Sequence, residues 1–244
     1  MSTQTVSSTR KSAAWLGAAI GLVVPTAVTW VYFVHAAGYD HGTQRAIGLT
    51  TKVLQFAFPL VWTLLVLKQP LRWSTPRRDG VVAGILFGLA VTAAGWLLFQ
   101  GILRDHPAFI AATEAIRAKV AGFGLDSTLK YAALGVFYSV AHAFLEEYYW
   151  RWFVFGQLRP LMPVGAAIAV SAVGFMAHHV LVLSMFFGWW SWPTMLLSAA
   201  VAVGGAFWAW LYQRSGSLVG PWLSHLVVDA GIFFVGYQLL GQMG

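Results

Sequence analysis

Residues 80–103 read GVVAGILFGLAVTAAGWLLFQGIL, twenty-four residues without one charged side chain. A helix of that length is roughly 36 Å long, and the hydrocarbon core of a bilayer is about 30 Å thick. The stretch is a membrane span, and its neighbours repeat the pattern. Working outward, further apolar runs cover 13–35, 46–67, 129–155, 164–187, 193–213 and 217–240. Seven spans make the chain an all-α, polytopic transmembrane helical bundle. An eighth, irregular span is the alternative, and it would move the C-terminus to the other side. Composition agrees: 59% of the 244 residues are hydrophobic and 9% are charged, against about 25% charged in a soluble domain.

The charges that remain give orientation. The net charge of +7 is not a nucleic-acid patch, because it lies in short loops beside apolar runs. Segment 68–79 holds Lys68, Arg72, Arg77, Arg78 and Asp79; Arg159 lies in 156–163, and Arg214 lies between the last two spans. With seven spans these fall on one side together with Arg10 and Lys11. That side is expected to be cytoplasmic, so the N-terminus is inside, in a multi-pass protein of the bacterial inner membrane. The chain divides into a cytoplasmic tail at 1–12, N-terminal transmembrane helices and a connector at 13–128, and a core at 129–244. Within the connector, 104–128 mixes Phe109, Ile110, Ile116 and Val120 with Glu114, Arg117 and Lys119. It reads either as an interfacial amphipathic helix ending at Gly122 or Gly124, or as a solvated link. Gly17 with Gly21, and Gly80, Gly84 and Gly88, have the spacing that lets helices approach closely. With no cysteine, disulfides and thiolate metal sites are excluded.

Ionisable residues inside the spans concentrate in three of them. The fourth span carries His142, Glu146, Glu147 and Arg151; the fifth, His178 and His179; the seventh, His225 and Asp229. Elsewhere Lys52 and the terminal His35 are the exceptions. Each Asp, Lys or Arg at such a depth costs about 2.5–3.5 kcal/mol on insertion, so the group must face the bundle interior or a wet cavity. Residues four apart share a helix face, which pairs Glu147 with Arg151 and puts His225 with Asp229, and His142 with Glu146, on shared faces; Glu146 is turned about 100° from Glu147 and is left without a charged partner. The bland reading of Glu147–Arg151 is a structural ion pair, and that of His142 and His178 is a satisfied core histidine. Packing alone does not explain Glu146, His179 and His225, which bring an acid and two imidazoles in from three helices.

At these residues the sequence resembles the CAAX-protease and bacteriocin-processing (CPBP, or Abi) family of intramembrane proteases. Glu146-Glu147-Tyr148-Tyr149-Trp150-Arg151 is similar to its E-E-x-x-x-R motif, and Phe175-Met176-Ala177-His178-His179 to F-x-x-x-H. His225-Leu226-Val227-Val228-Asp229 is similar to H-x-x-x-N, with aspartate replacing asparagine. The resemblance covers about residues 129–240 and makes 129–244 a catalytic core. It implies endopeptidase activity on a membrane-anchored protein or peptide within the lipid bilayer. Carried over, Glu146 is the general base supported by Glu147 and Arg151, His179 is a catalytic partner, and His225 with Asp229 completes the site.

The chemistry agrees with that implication. A glutamate in an apolar cavity is a stronger base, His179 can hold the same water, and His225, oriented by Asp229, can donate to an oxyanion. No G-x-S-x-G motif points to a serine nucleophile. Two mechanisms stand side by side: a metal-free one, which is favoured, and a zinc one using His179, His225 and either Glu146 or Asp229. Depth is harder to reconcile. By helical rise Glu146 lies roughly 14 Å and His225 roughly 12 Å from the cytoplasmic end of their spans, but His179 lies roughly 22 Å from Val164. Span five must then start later or tilt. Competing functions are a proton- or ion-coupled transporter and a non-catalytic scaffold or immunity factor. No internal repeat of the transporter type is visible.

Overall fold

The computed structural model describes residues 8–71, 75–125 and 127–241, and no strand occurs among them. The expected tail at 1–12 falls partly, and Arg72 wholly, outside the described residues. Eight helices follow in order: α1 Ser8–Phe33, α2 His41–Val61, α3 Arg78–Leu98, α4 Pro107–Gly122, α5 128–158, α6 Val164–Phe187, α7 Trp192–Ser215 and α8 Val219–Leu240. α2 and α3 each continue into a π-helical turn, Trp62–Val66 and Phe99–Leu103.

Six helices are long and apolar enough to cross a membrane: all except α4 and α5. α5 is the fourth predicted span, and its position explains why it stands apart. Tyr149, Trp150, Phe153, Val154, Phe155 and Leu158 are buried against Ala18 of α1, Ala167 and Phe175 of α6, and Trp208 and Ala209 of α7. A helix wrapped by others over that half can carry Glu146, Glu147 and Arg151 without showing them to lipid. It is also uneven. The α-helical turn Ala143–Glu147 lies between two π-helical segments, Tyr138–His142 and Tyr148–Phe155. Such widenings occur often at functional sites.

Local chemistry sets several helix ends. Asp40 caps α2, accepting from the Gly42 and Thr43 amides at 2.9 and 3.0 Å and from the Thr43 hydroxyl at 2.6 Å. The Thr43 hydroxyl, then its amide, hold the Asp40 carboxyl below its usual range. Ser191 caps α7 ahead of Pro193, and α7 ends at Gly216 in the left-handed region, φ 68°, a conformation glycine adopts freely.

Of the two readings of 104–128, the structure favours packing over a solvated link. Phe109 and Ala112 of α4 are buried, and the Phe109 ring lies 4.7 Å from that of Phe187. Arg117 donates to the Leu240 carbonyl at 3.0 Å, and Lys119 sits over the Tyr32 ring at 4.4 Å. Arg45 of α2 bonds the Gly122 carbonyl. α4 therefore caps one end of the bundle.

The closest helix pairs are α3 with α8 and α6 with α7. α3 approaches α8 on its glycine stripe: a Cβ on Gly84 would meet the Gly220 backbone, and one on Gly88 would meet the Ser224 carbonyl at 2.8 Å. The Thr92 hydroxyl adds a bond to the Val227 carbonyl at 3.2 Å. Since α8 carries His225 and Asp229, this contact holds a third of the polar cluster in place. Gly84→Val should separate the helices and cost about 1–3 kcal/mol through overpacking. Gly95→Ala, where an added Cβ meets nothing within 4 Å, should be neutral. Thermal unfolding of the two variants in detergent checks this.

Candidate active site

Three helices deliver the ionisable groups to one point. Arg151, 1% exposed, is the anchor. Its Nη1 lies 3.1 Å from Glu147 Oε1, and its Nη2 donates to the Gly205 carbonyl of α7 at 3.3 Å. Its guanidinium lies over the Phe175 ring at 4.6 Å and the Trp208 ring at 5.0 Å. The motif spacing explains the ion pair, because an acid four residues before a base lies on the same face. Aromatic faces further stabilise a desolvated guanidinium.

Glu147 reaches a second helix. Its Oε1 accepts from His225 Nδ1 at 2.8 Å, so a fully buried carboxylate bridges Arg151 on α5 and His225 on α8. The His225 ring stacks on Trp208 at 4.2 Å and 16°, and Trp208 Nε1 donates to the Ser224 hydroxyl at 2.9 Å. Imidazole position, tilt and hydrogen-bonding edge are thus all fixed. The other ring nitrogen, Nε2, faces Asp229 Oδ1 at 3.5 Å and Glu146 Oε2 at 3.7 Å.

Glu146 is buried, 3% exposed, and differs from its neighbour. Its contacts are His178 Nε2 at 3.4 Å, His225 Nε2 at 3.7 Å and His142 Nδ1 at 3.9 Å. Each is longer than a good N–H···O bond, whereas the Glu147 contacts are not. One glutamate is clamped and the other is surrounded by imidazoles without being held by any of them.

The structure therefore brings Glu146, Glu147, Arg151, His179, His225 and Asp229 together, with two differences from the sequence reading. Glu146 is not without partners. The carboxylate on His225 Nδ1 is Glu147 rather than Asp229, which instead shares Nε2 with Glu146. Two residues weighed as core histidines also belong to the cluster. His178 touches Glu146, stacks on Trp150 at 5.8 Å and 3°, and has an Nδ1 without a hydrogen-bond partner. His142 lies beside Tyr138, ring to ring at 4.8 Å. The adjacent His178-His179 pair was the available signal, but a 100° step per residue separates their faces on paper. In space their rings are 4.1 Å apart. His179 bonds the Phe175 carbonyl through Nδ1 at 2.9 Å, as the i,i+4 spacing in Phe175–His179 implies. Lys52 sits at the cluster's flank, 5.6 Å above the Phe56 ring, whose edge meets His142 at 5.9 Å.

The depth mismatch narrows for Glu146 but not for His225, which lies roughly 9 Å from the start of α8 at Val219. α6 starts at Val164, as drawn from the sequence, so a later start is excluded. α5 instead runs on to Leu158, which puts Glu146 roughly 18 Å from its end.

One finding stands where the sequence resemblance pointed. Residues 128–231, which hold every member of the cluster, match the family described as Type II CAAX prenyl endopeptidase Rce1-like. Comparisons with curated proteins and with solved structures return no match. The CPBP resemblance is borne out over that segment, and it supports a peptide hydrolase in a multi-pass membrane protein.

The bridge through Glu147 makes a stability prediction. Arg151→Met leaves Glu147 as an uncompensated buried charge and should cost about 3–5 kcal/mol. Adding Glu147→Leu should restore much of the loss, because removing both charges removes the desolvation cost. Thermal midpoints of the parent, the two single variants and the double variant measure the coupling.

Proposed function

We propose that this chain is an intramembrane endopeptidase that hydrolyses a peptide bond in a membrane-anchored protein or peptide. The observation that carries the reading is the contrast between the two glutamates. Glu147 is fixed by Arg151 at 3.1 Å and His225 at 2.8 Å, so it holds the scaffold. Glu146, with contacts of 3.4 to 3.9 Å, has lone pairs to spare. A water bonded to those lone pairs is the nucleophile of this reading.

In the proposed reaction Glu146 takes a proton from that water as its oxygen attacks the scissile carbonyl carbon. His225, held by Glu147 at Nδ1 and by Trp208 against its ring, has Nε2 positioned to donate to the developing oxyanion, and His179 stands beside Glu146. Collapse of the tetrahedral intermediate breaks the C–N bond. The proton on Glu146 passes to the leaving amine, so the products are one carboxylate and one amine. His178 and His142 flank Glu146 and orient it. On this reading the basic ends of α1, α5 and α7 lie in the cytoplasm, in a bacterial inner membrane, with α5 as the fourth of seven spans.

A specific observation also supports the zinc reading. Ligand atoms of Glu146, His178 and His179 lie within 4.8 Å of one another. Two histidines and a glutamate form a catalytic zinc set, and the His179 Nδ1 bond to a carbonyl is the support such a ligand commonly has. His178 Nδ1 lacks that support, whereas His225, named in the sequence-based set, has its Nδ1 on Glu147 and its Nε2 facing Glu146 and Asp229. Zinc held there would lower the pKa of a bound water. The metal-free reading is preferred because His178 is only half of a supported ligand pair.

Glu146→Gln should lower kcat by about 10²–10⁴-fold while leaving the thermal midpoint near that of the parent, measured on a membrane-anchored peptide in proteoliposomes. Near-parental turnover would remove Glu146 as the base. On the metal-free reading, active protein contains substoichiometric zinc by elemental analysis and keeps its activity in chelator. One zinc per chain, lost together with activity and restored together with it, would establish the zinc reading instead.

A further inference from the structure

At the opposite end of the bundle from α4, a cavity of about 550 Å³ opens between the start of α1, the end of α2, the end of α5 and the end of α7. Pockets for small ligands have about this volume. Arg10 and Arg159 line it from different elements, with Thr63, Gln69, Gln157 and Tyr212 between them, and no acidic side chain contributes among the described residues. Arg159 spends one amine on Gln213, at 3.5 Å.

Thr63 is the informative residue. It is 4% exposed, and its hydroxyl has no hydrogen-bond partner. Helical threonines ordinarily satisfy the hydroxyl on the carbonyl four residues back. Thr29, Thr51 and Thr113 all do so here, each at 2.8 Å. Thr63 does not, because it lies in the π-helical turn Trp62–Val66, and it lines the cavity. Burying an unpaired hydroxyl costs about 1–3 kcal/mol; the oxygen is enclosed here, and a turn about χ1 toward the cavity would give it a partner there. The wall beside it is strained: Lys68 has φ 50°, a left-handed value uncommon outside glycine and frequent at ligand clamps. The strained turn delivers Gln69 to the cavity, its amide bonded to the Thr63 carbonyl at 3.0 Å.

We propose that this cavity is a binding site for a phosphate-bearing anion, carried by a lipid headgroup or free in solution. Two guanidiniums from different elements match the fork geometry that phosphate oxygens accept, and the Thr63 hydroxyl supplies a neutral donor. Basic pockets between the ends of transmembrane helices hold anionic headgroups in this manner. The site shares no side chain with the glutamate–histidine cluster, so it stands whether or not that cluster hydrolyses peptides.

The test is native mass spectrometry of the full chain released from detergent, titrated with phosphatidylglycerol, with phosphate-free diacylglycerol, and with inorganic phosphate as competitor. One phosphatidylglycerol is expected to bind ahead of all others, and diacylglycerol to give no tight adduct. The Arg10→Gln/Arg159→Gln double variant should bind phosphatidylglycerol about tenfold more weakly or worse. Thr63→Val should weaken it several-fold with a thermal midpoint at or above that of the parent, since the unpaired hydroxyl is removed. Arg77→Gln/Arg78→Gln removes the same charge outside the cavity and should bind as the parent does. Competition by inorganic phosphate would assign the site to the free anion, and failure to compete would assign it to the lipid; either outcome sustains a phosphate site. Equal binding by the two double variants, or a diacylglycerol adduct as tight as that of phosphatidylglycerol, overturns the proposal.

Discussion

A guanidinium buried among aromatic rings has to be answered by a negative charge, and Arg151 is answered by Glu147 alone at salt-bridge distance. Much of the core follows from that constraint. Glu147 must be buried to reach Arg151, and its shared oxygen then captures His225 from another helix. Trp208 serves twice, under the guanidinium and against the imidazole. The pair thus ties α5, α7 and α8 together at the depth where the unclamped Glu146 sits. A buried ion pair is a weak source of net stability, so its value here is positional: it leaves one glutamate fixed and the other chemically available.

That division of labour separates a hydrolase from a passive polar core. A cluster built only for packing would hold each acid at short range, as this fold does for Glu147 through Oε1. Glu146 instead has three imidazoles at 3.4 to 3.9 Å. The π-helical segments on both sides of Ala143–Glu147 break the regular side-chain register around it. The family match over 128–231 covers the same helices and supports the same chemistry.

Most of the architecture was legible because lipid imposes a simple rule. A run such as 164–187 can only be a helix of about that length, and α6 begins and ends there. Motif spacing within one helix was legible for the same reason, as in Glu147–Arg151 and Phe175–His179. Contacts between helices were not. His225 was assigned to Asp229 because they are four residues apart, yet the shorter bond crosses to Glu147, and nothing in a sequence encodes that approach. The π-helical widenings were hidden too, since no single residue type specifies them. His178 was weighed as a satisfied core histidine, while the packing of α6 on α5 brings both it and His179 to the cluster. Thr63 looked like any apolar-span threonine until its hydroxyl was found without a partner.

The central claim is that these helices break a peptide bond rather than move an ion through the same polar cluster. The most direct measurement supplies purified protein in sealed proteoliposomes with a membrane-anchored peptide, and follows peptide masses and internal pH together. The account predicts two fragments whose masses sum to that of the peptide plus one water, with no protein-dependent proton flux. An intact peptide accompanied by a protein-dependent flux would contradict it.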